Sequence, residues 1–128
     1  MKYYFSKTIE RSFDESVSLV TDALKTEGFG IITEIKMHDK LKEKLNVDFK
    51  KYTILGACNP SFAHKALLIE DKIGSMLPCN VLVIEQEPGK IEIAAVDPIA
   101  SMIGVGNPEL SEVAQKVSEI LKNIVERV

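Results

Sequence analysis

Two cysteines are the residues of this chain that could carry chemistry most directly. Cys58 precedes Asn59-Pro60, a pair that starts helices well. Its sulfur would then lie near a helix N-terminus, where a thiolate is stabilised and the pKa of a thiol falls. Simple packing is the alternative for Cys58, because cysteine is among the most buried residue types. Cys79 follows Leu77-Pro78 at the start of a predicted strand.

A shared site for the two cysteines depends on strand direction. With His64 they would offer a metal two sulfurs and one imidazole, although their spacing is not that of a zinc knuckle. Parallel strands joined by a crossover helix would hold the sulfurs far apart, whereas antiparallel strands, or a helix lying across the strands, would bring them together. His64, like His38, has polar neighbours typical of a solvated surface residue. The candidate reactive or ligand-binding residues are Cys58, Cys79, Asn59 and His64, and the metal and cofactor stay open.

A second candidate is a glycine-containing segment that precedes the last predicted helix. Gly104 and Gly106 could expose backbone N–H groups to an anion, or they could be ordinary hinge residues. The flexible side chains of Met76 and Met102 suit an adaptable contact surface. Met76, Met102, Gly104 and Gly106 therefore form a candidate anion-binding or interface loop. The sequence contains no nucleophile elbow, HExxH motif or phosphate loop, so no catalytic residue is assigned.

The elements that must position these residues follow from hydrophobic periodicity and helix-capping signals. The predicted order is strand 2–9, helix 12–28, strand 29–36, exposed helix 37–47, strand 52–58, helix 59–74, hairpin strands 79–86 and 90–96, an irregular apolar segment 97–108, and a final helix from 107. Phe29, Ile31, Thr33 and Ile35 are predicted to share one face of their strand. Gly56 predicts close approach of another element, and Pro88-Gly89 predicts a bulge or a longer hairpin loop. This β-α-β-α-β-α-β-β-α order predicts one α+β domain over residues 1–128, with a mixed sheet covered by helices.

Composition limits the function classes. The 128 residues carry 19 acidic and 16 basic side chains, a net charge of −3, which argues against binding a nucleic-acid backbone. No apolar run approaches the length of about 20 residues that spans a bilayer, which predicts no membrane association. The N-terminus lacks the pattern of a signal peptide, so we expect a cytoplasmic protein whose cysteines are free thiols.

Several short segments together resemble a known family. They are Gly56-Ala57-Cys58-Asn59-Pro60 with Ala63 and Leu67, then Gly74, Leu77-Pro78-Cys79-Asn80-Val81, and Asp97-Pro98. Over nearly the whole chain this pattern resembles the domain of unknown function 302 family. The resemblance implies a small soluble α+β domain with a mixed sheet, of bacterial or archaeal type, that forms dimers. It implies no activity.

Two functional hypotheses follow. The favoured one is a non-enzymatic homodimeric module that binds a small apolar or anionic ligand, or another protein, through Ile99–Val105 and Ser75–Pro78. The alternative is a thiol-based redox or metal-binding protein that uses Cys58 with Cys79. An enzyme is not favoured, because no acid/base pair stands at a recognisable spacing.

Overall fold

The computed structural model describes residues 2–128, and alternating strands and helices account for most of them. The strands are β1 (Tyr4–Glu10), β2 (Gly30–Lys36), β3 (Tyr52–Cys58), β4 (Cys79–Glu87) and β5 (Lys90–Val96). The helices are α1 (Phe13–Thr26), α2 (Met37–Leu45), α3 (Pro60–Ile69), α4 (Pro98–Val105) and α5 (Ser111–Arg127). Two 3₁₀ helices, Asp71–Met76 and Pro108–Leu110, connect them. Among residues 2–128, no helix combines the length and apolar character that crossing a membrane requires.

The strands form one sheet in the order β1-β5-β4-β3-β2. Every neighbouring pair is antiparallel. The predicted α+β class is therefore confirmed, while the sheet is antiparallel rather than mixed. The reason lies between β3 and β4: α3 and the 3₁₀ helix after it return the chain to the end of the sheet at which β3 finishes. As a result, β4 starts beside the last residues of β3, and Ala57 pairs with Cys79.

The main core lies between one face of the sheet and two helices. Alternate strand residues point toward it, as the two-residue period of a strand requires. Val20 and Leu24 of α1 and Leu121 and Ile124 of α5 meet that face. The strand residues buried there are Leu55, Ala57, Val81, Val83, Ile91, Ile93 and Ala95. A smaller buried cluster of Ala66, Ile73 and Leu110 lies beyond the strand ends, with Leu77 and Met102 packed on it.

Strand β2 departs from the predicted alternation because it contains a bulge. Ile31 pairs with Ala57 and Thr33 pairs with the adjacent Gly56, which leaves Ile32 as the extra residue. Ile31 and Thr33 consequently lie on opposite faces, contrary to the prediction that they share one. A second bulge, between Glu85 and Glu87 of β4, precedes the hairpin turn and confirms the irregularity predicted there.

Gly56 allows the close approach that the sequence predicted. A methyl group placed on it would collide with the hydroxyl of Thr33 and would lie 2.7 Å from Cγ of Pro78. Three adjacent strands or strand ends therefore meet around a position that has no side chain. This contact holds Pro78, and the cysteine that follows it, against the end of β3.

The segment 97–108 is largely helical, so the prediction of an irregular segment is wrong. Asp97 caps α4: its Oδ1 accepts a hydrogen bond from the Ile99 N–H at 3.0 Å and another from the Ser118 hydroxyl at 2.9 Å. Pro98 stands at the first helical position. Because α4 carries no charged residue, it shows no polar face by which a sequence pattern would reveal a helix.

Candidate functional site

A groove of about 320 Å³ opens where the end of β3, the start of β4 and five helical segments meet. None of the residues 2–128 that line it is charged. The main contributors are apolar side chains. They are Phe29, Ile32, Phe62, Ala63, Ala66, Leu67, Ile73, Leu77, Pro78, Met102, Leu110, Val113 and Val117. Its volume falls at the lower end of the range found for small-molecule sites.

Both cysteines line this groove. Cys58 is the last residue of β3, and Cys79 is the first residue of β4. Since β3 and β4 are antiparallel and Ala57 pairs with Cys79, the two cysteines stand one residue out of register at the same end of the sheet. The structure therefore brings together the two residues whose proximity the sequence could not decide. Both are half-buried free thiols.

Burial is the main influence on Cys79. It raises the pKa of that thiol from 9.0 to about 11, and the negative charge of an ionised Cys58 adds to the rise. Cys79 is thus a protonated thiol at neutral pH. A thiol with a raised pKa is a poor first nucleophile, because the thiolate is the reactive form.

Asn59 serves as the N-cap of α3, which confirms the capping signal. Its Oδ1 accepts hydrogen bonds from the N–H groups of Ser61 at 3.1 Å and Phe62 at 3.3 Å. That oxygen is therefore occupied by the helix, although Asn59 also borders the groove. An activated thiolate at Cys58, next to this helix N-terminus, stays a prediction.

The structure separates His64 from the two cysteines. His64 is exposed on α3 and does not line the groove, in line with the surface position expected for it. Within residues 2–128, no group of three or more His, Cys, Asp or Glu side chains could hold a metal ion. The ligand set of Cys58, Cys79 and His64 is thus not assembled.

His38 is the histidine whose position the sequence did not reveal. Its side chain is 18% exposed rather than solvated. Nδ1 accepts a hydrogen bond from the backbone N–H of Tyr52 at 2.9 Å, and the ring packs edge-on against Phe13 with centroids 6.1 Å apart. This role depends on α2 folding back onto β3, so the polar neighbours in sequence gave no signal of it.

The candidate loop residues belong to different structures. Met102 lines the groove from α4, and Met76 is 45% exposed at the end of the 3₁₀ helix. Gly104 lies within α4, and Gly106 is its C-cap with φ of +71°. The Gly106 N–H donates to the carbonyl of Met102 at 3.2 Å, so this N–H is not free for an anion. Asn107 Nδ2 donates to Glu70 Oε1 at 3.1 Å, which places a carboxylate beside the segment.

Sequence reasoning missed the groove itself, although two signals pointed toward it. An apolar stretch around Met102 needs cover. Ala63 and Ala66 are small residues at helical spacing, and both line the groove. Small side chains on a helix that does not fully reach the sheet leave space between the two.

Comparison with known proteins supports the predicted resemblance. The model of the family described as domain of unknown function DUF302 matches residues 5–128. Among solved structures, the crystal structure of uncharacterized conserved protein DUF302 from Bacillus stearothermophilus is 28% identical in sequence, with a TM-score of 0.91. That similarity covers 99% of this chain and 98% of the other. No curated protein matches the sequence. Because the family model matches nearly the whole chain, this protein belongs to the DUF302 family, whose description assigns no function.

Proposed function

We propose that this protein is a non-enzymatic module that binds a small, uncharged, apolar molecule in the groove between α3, α4 and α5. The observation that carries the proposal is the lining: a space of about 320 Å³ bordered by apolar side chains and by no charged one. Binding sites for small molecules are typically concave, mainly apolar and few per protein. The groove has those properties.

The lining also selects among ligand classes. An anion entering the groove would lose its hydration without gaining a cationic partner, because no lysine or arginine of the described chain lines the space. At roughly 30 Å³ for each water-sized group, the groove has room for about ten non-hydrogen atoms. We therefore propose an uncharged aliphatic or flat apolar ligand of about that size, in preference to the anionic ligand that the glycine segment suggested.

We further propose that the module is a cytoplasmic homodimer. Large apolar side chains on α3, on α4 and at the end of the 3₁₀ helix are exposed. Leu68 is 75% exposed, Ile103 65% and Met76 45%. We propose that these side chains form one patch, because a contiguous exposed apolar surface is typical of an association site. The free thiols Cys58 and Cys79 suit a reducing compartment.

The binding proposal is tested with 1-octanol and octanoate, which share a chain but differ in charge. Backbone amide NMR spectra recorded during titration should show saturable shifts around Ala57, Phe62 and Val117, which border the groove. With nine non-hydrogen atoms, octanol should bind with a Kd of about 0.1–1 mM, and octanoate at least about fivefold more weakly.

A filling substitution and a matched control locate the site. Ala63→Phe places a ring in the groove and should abolish the shifts, whereas Ala100→Leu, on α4 but not among the lining residues, should leave them unchanged. The absence of saturable shifts in the wild-type protein, or equal octanol binding by Ala63→Phe, would refute the proposed site.

A further inference from the structure

The two groove cysteines stand at a separation that suits a disulfide. Ala57 and Cys79 are paired across β3 and β4, and Cys58 is the next residue along. From the usual spacings within and between antiparallel strands, the Cα atoms of Cys58 and Cys79 lie about 6 Å apart. Disulfides bridge Cα atoms at about 4.4–6.8 Å, so the separation fits. Because Cys58 follows the residue that pairs with Cys79, the two side chains start on opposite faces of the strand pair, and the bond requires the end of β3 to turn at Cys58, where the strand finishes. Both thiols are free and half-buried, and both border the same open space.

The surroundings give the two thiols different roles. The pKa of Cys79 is raised to about 11, first by burial and then by the charge of an ionised Cys58, so Cys79 does not attack first at neutral pH. Cys58 is next to the N-terminus of α3. Once Cys58 has become an uncharged sulfenic acid, its charge no longer raises the pKa of Cys79, and burial is the cause that remains.

We propose that Cys58 and Cys79 form a redox pair that reacts with a peroxide, and that a ligand in the groove controls this reaction. The Cys58 thiol gives up its proton and the thiolate attacks one peroxide oxygen. The O–O bond breaks, the departing hydroxide takes up that proton and leaves as water, and Cys58 becomes a sulfenic acid. The sulfur of Cys79 then attacks the sulfur of Cys58, the S–O bond breaks, and the departing hydroxide takes the Cys79 proton. Two thiols are oxidised, and one hydrogen peroxide is reduced to two waters.

Control by the ligand follows from the shared lining and rests on the function proposed above. An apolar molecule that fills the groove covers both sulfurs, because both border the space that it occupies. The pair would therefore report that the groove is empty: oxidation proceeds in the free protein and is blocked in the bound one. Transient disulfides of this kind are the ones expected in a reducing compartment.

The experiment follows hydrogen peroxide treatment of the reduced full-length chain by intact mass spectrometry. The wild-type chain should lose about 2 Da as both thiols disappear together. Cys79→Ser should stop at a Cys58 sulfenic acid that is trapped by dimedone, whereas Cys58→Ser should react much more slowly. Circular dichroism confirms that each serine variant is folded. Oxidation of each cysteine separately to a sulfinic acid, or only intermolecular disulfides, would overturn the pair.

Peroxide oxidation in the presence of octanol tests control by the ligand separately from binding itself. At an octanol concentration of about three times its Kd, about a quarter of the molecules have an empty groove, so disulfide formation should slow about fourfold. An unchanged rate while NMR shows bound octanol overturns control by the ligand. If octanol does not bind at all, the binding proposal fails, while the disulfide result still decides whether the pair exists.

Discussion

At the scale of single residues, the ionisation of Cys79 makes the stability of the fold depend on pH. Its thiol ionises near pH 9 in the unfolded chain and near pH 11 in the folded one, because burial disfavours the thiolate. Between these values the unfolded state binds fewer protons than the folded state. The linkage relation then requires the free energy of unfolding to fall as pH rises from about 9 to 11, and Cys79 adds no such dependence below that window.

We predict that this one thiol removes up to about 3 kcal/mol of stability between pH 9 and 11. Urea unfolding of the wild type and of Cys79→Ala at pH 8, 9, 10 and 11 isolates the contribution, since tyrosines and lysines that titrate in the same range are common to both proteins. The wild-type curve should fall more steeply than the variant curve. Parallel curves would mean that Cys79 ionises as easily in the folded chain as in the unfolded one.

The sequence predicted residue roles best where the partner is local. Asn59 stands before a proline and caps the helix that follows, as predicted. Asp97 also stands before a proline and caps a helix, but the segment after it was predicted to be irregular. The helix-start signal at Asp97-Pro98 is as clear as the one at Asn59, but the segment that follows has no charged face by which a helix would be recognised. The role of His38 depends on a hydrogen-bond partner 14 residues away, and the proximity of Cys58 to Cys79 depends on the relative direction of β3 and β4. No local pattern specifies either.

At the scale of elements, the groove depends on how closely β2, β3 and the start of β4 approach one another. Gly56 is the position that permits this approach, since both Thr33 and Pro78 occupy the space that a side chain would need. The bulge at Ile32 sets the register that brings Thr33 opposite Gly56. Register is fixed by pairing in the folded sheet, which explains why the strand pattern predicted the existence of β2 but not its faces.

We predict that Gly56→Ala destabilises the protein by about 2 kcal/mol, the usual range for overpacking a tight contact, because the proline ring cannot yield as a flexible chain would. Gly30→Ala is the matched control: it is also a strand glycine, and an added methyl there meets nothing within 4 Å. Urea unfolding should show no loss for Gly30→Ala.

A double variant identifies the obstacle. Thr33→Ala should recover part of the loss caused by Gly56→Ala if the threonine hydroxyl is in the way, and the remainder then belongs to Pro78. Equal stability of Gly56→Ala and Gly30→Ala would contradict the crowded contact.

At the scale of the whole molecule, the chain divides into a regular part and the part that forms the groove. Helices α1 and α5 and the sheet enclose the main core, whose strand residues follow a simple alternation. The groove instead lies between that core and the smaller cluster around Ile73. A cavity arises from what the packing of several elements leaves unfilled, and no single segment contains that information. The sequence therefore predicted most of the elements but not the groove that they leave.

The exposed apolar residues beside the groove lead to a prediction about assembly. Ile103 projects from α4 with 65% of its surface exposed, and a second copy of the chain would remove that surface from water. We expect light scattering after size-exclusion chromatography to give twice the chain mass of 14.2 kDa at micromolar concentration. Ile103→Glu should shift the protein toward the monomer, because a carboxylate buried in an apolar interface lacks a partner.

Ile35→Glu tests a comparably apolar residue, 41% exposed on β2 and remote in sequence, and should remain dimeric. A wild-type mass of 14.2 kDa would exclude the dimer, and dissociation by Ile35→Glu alone would place its interface on the sheet instead of on α4.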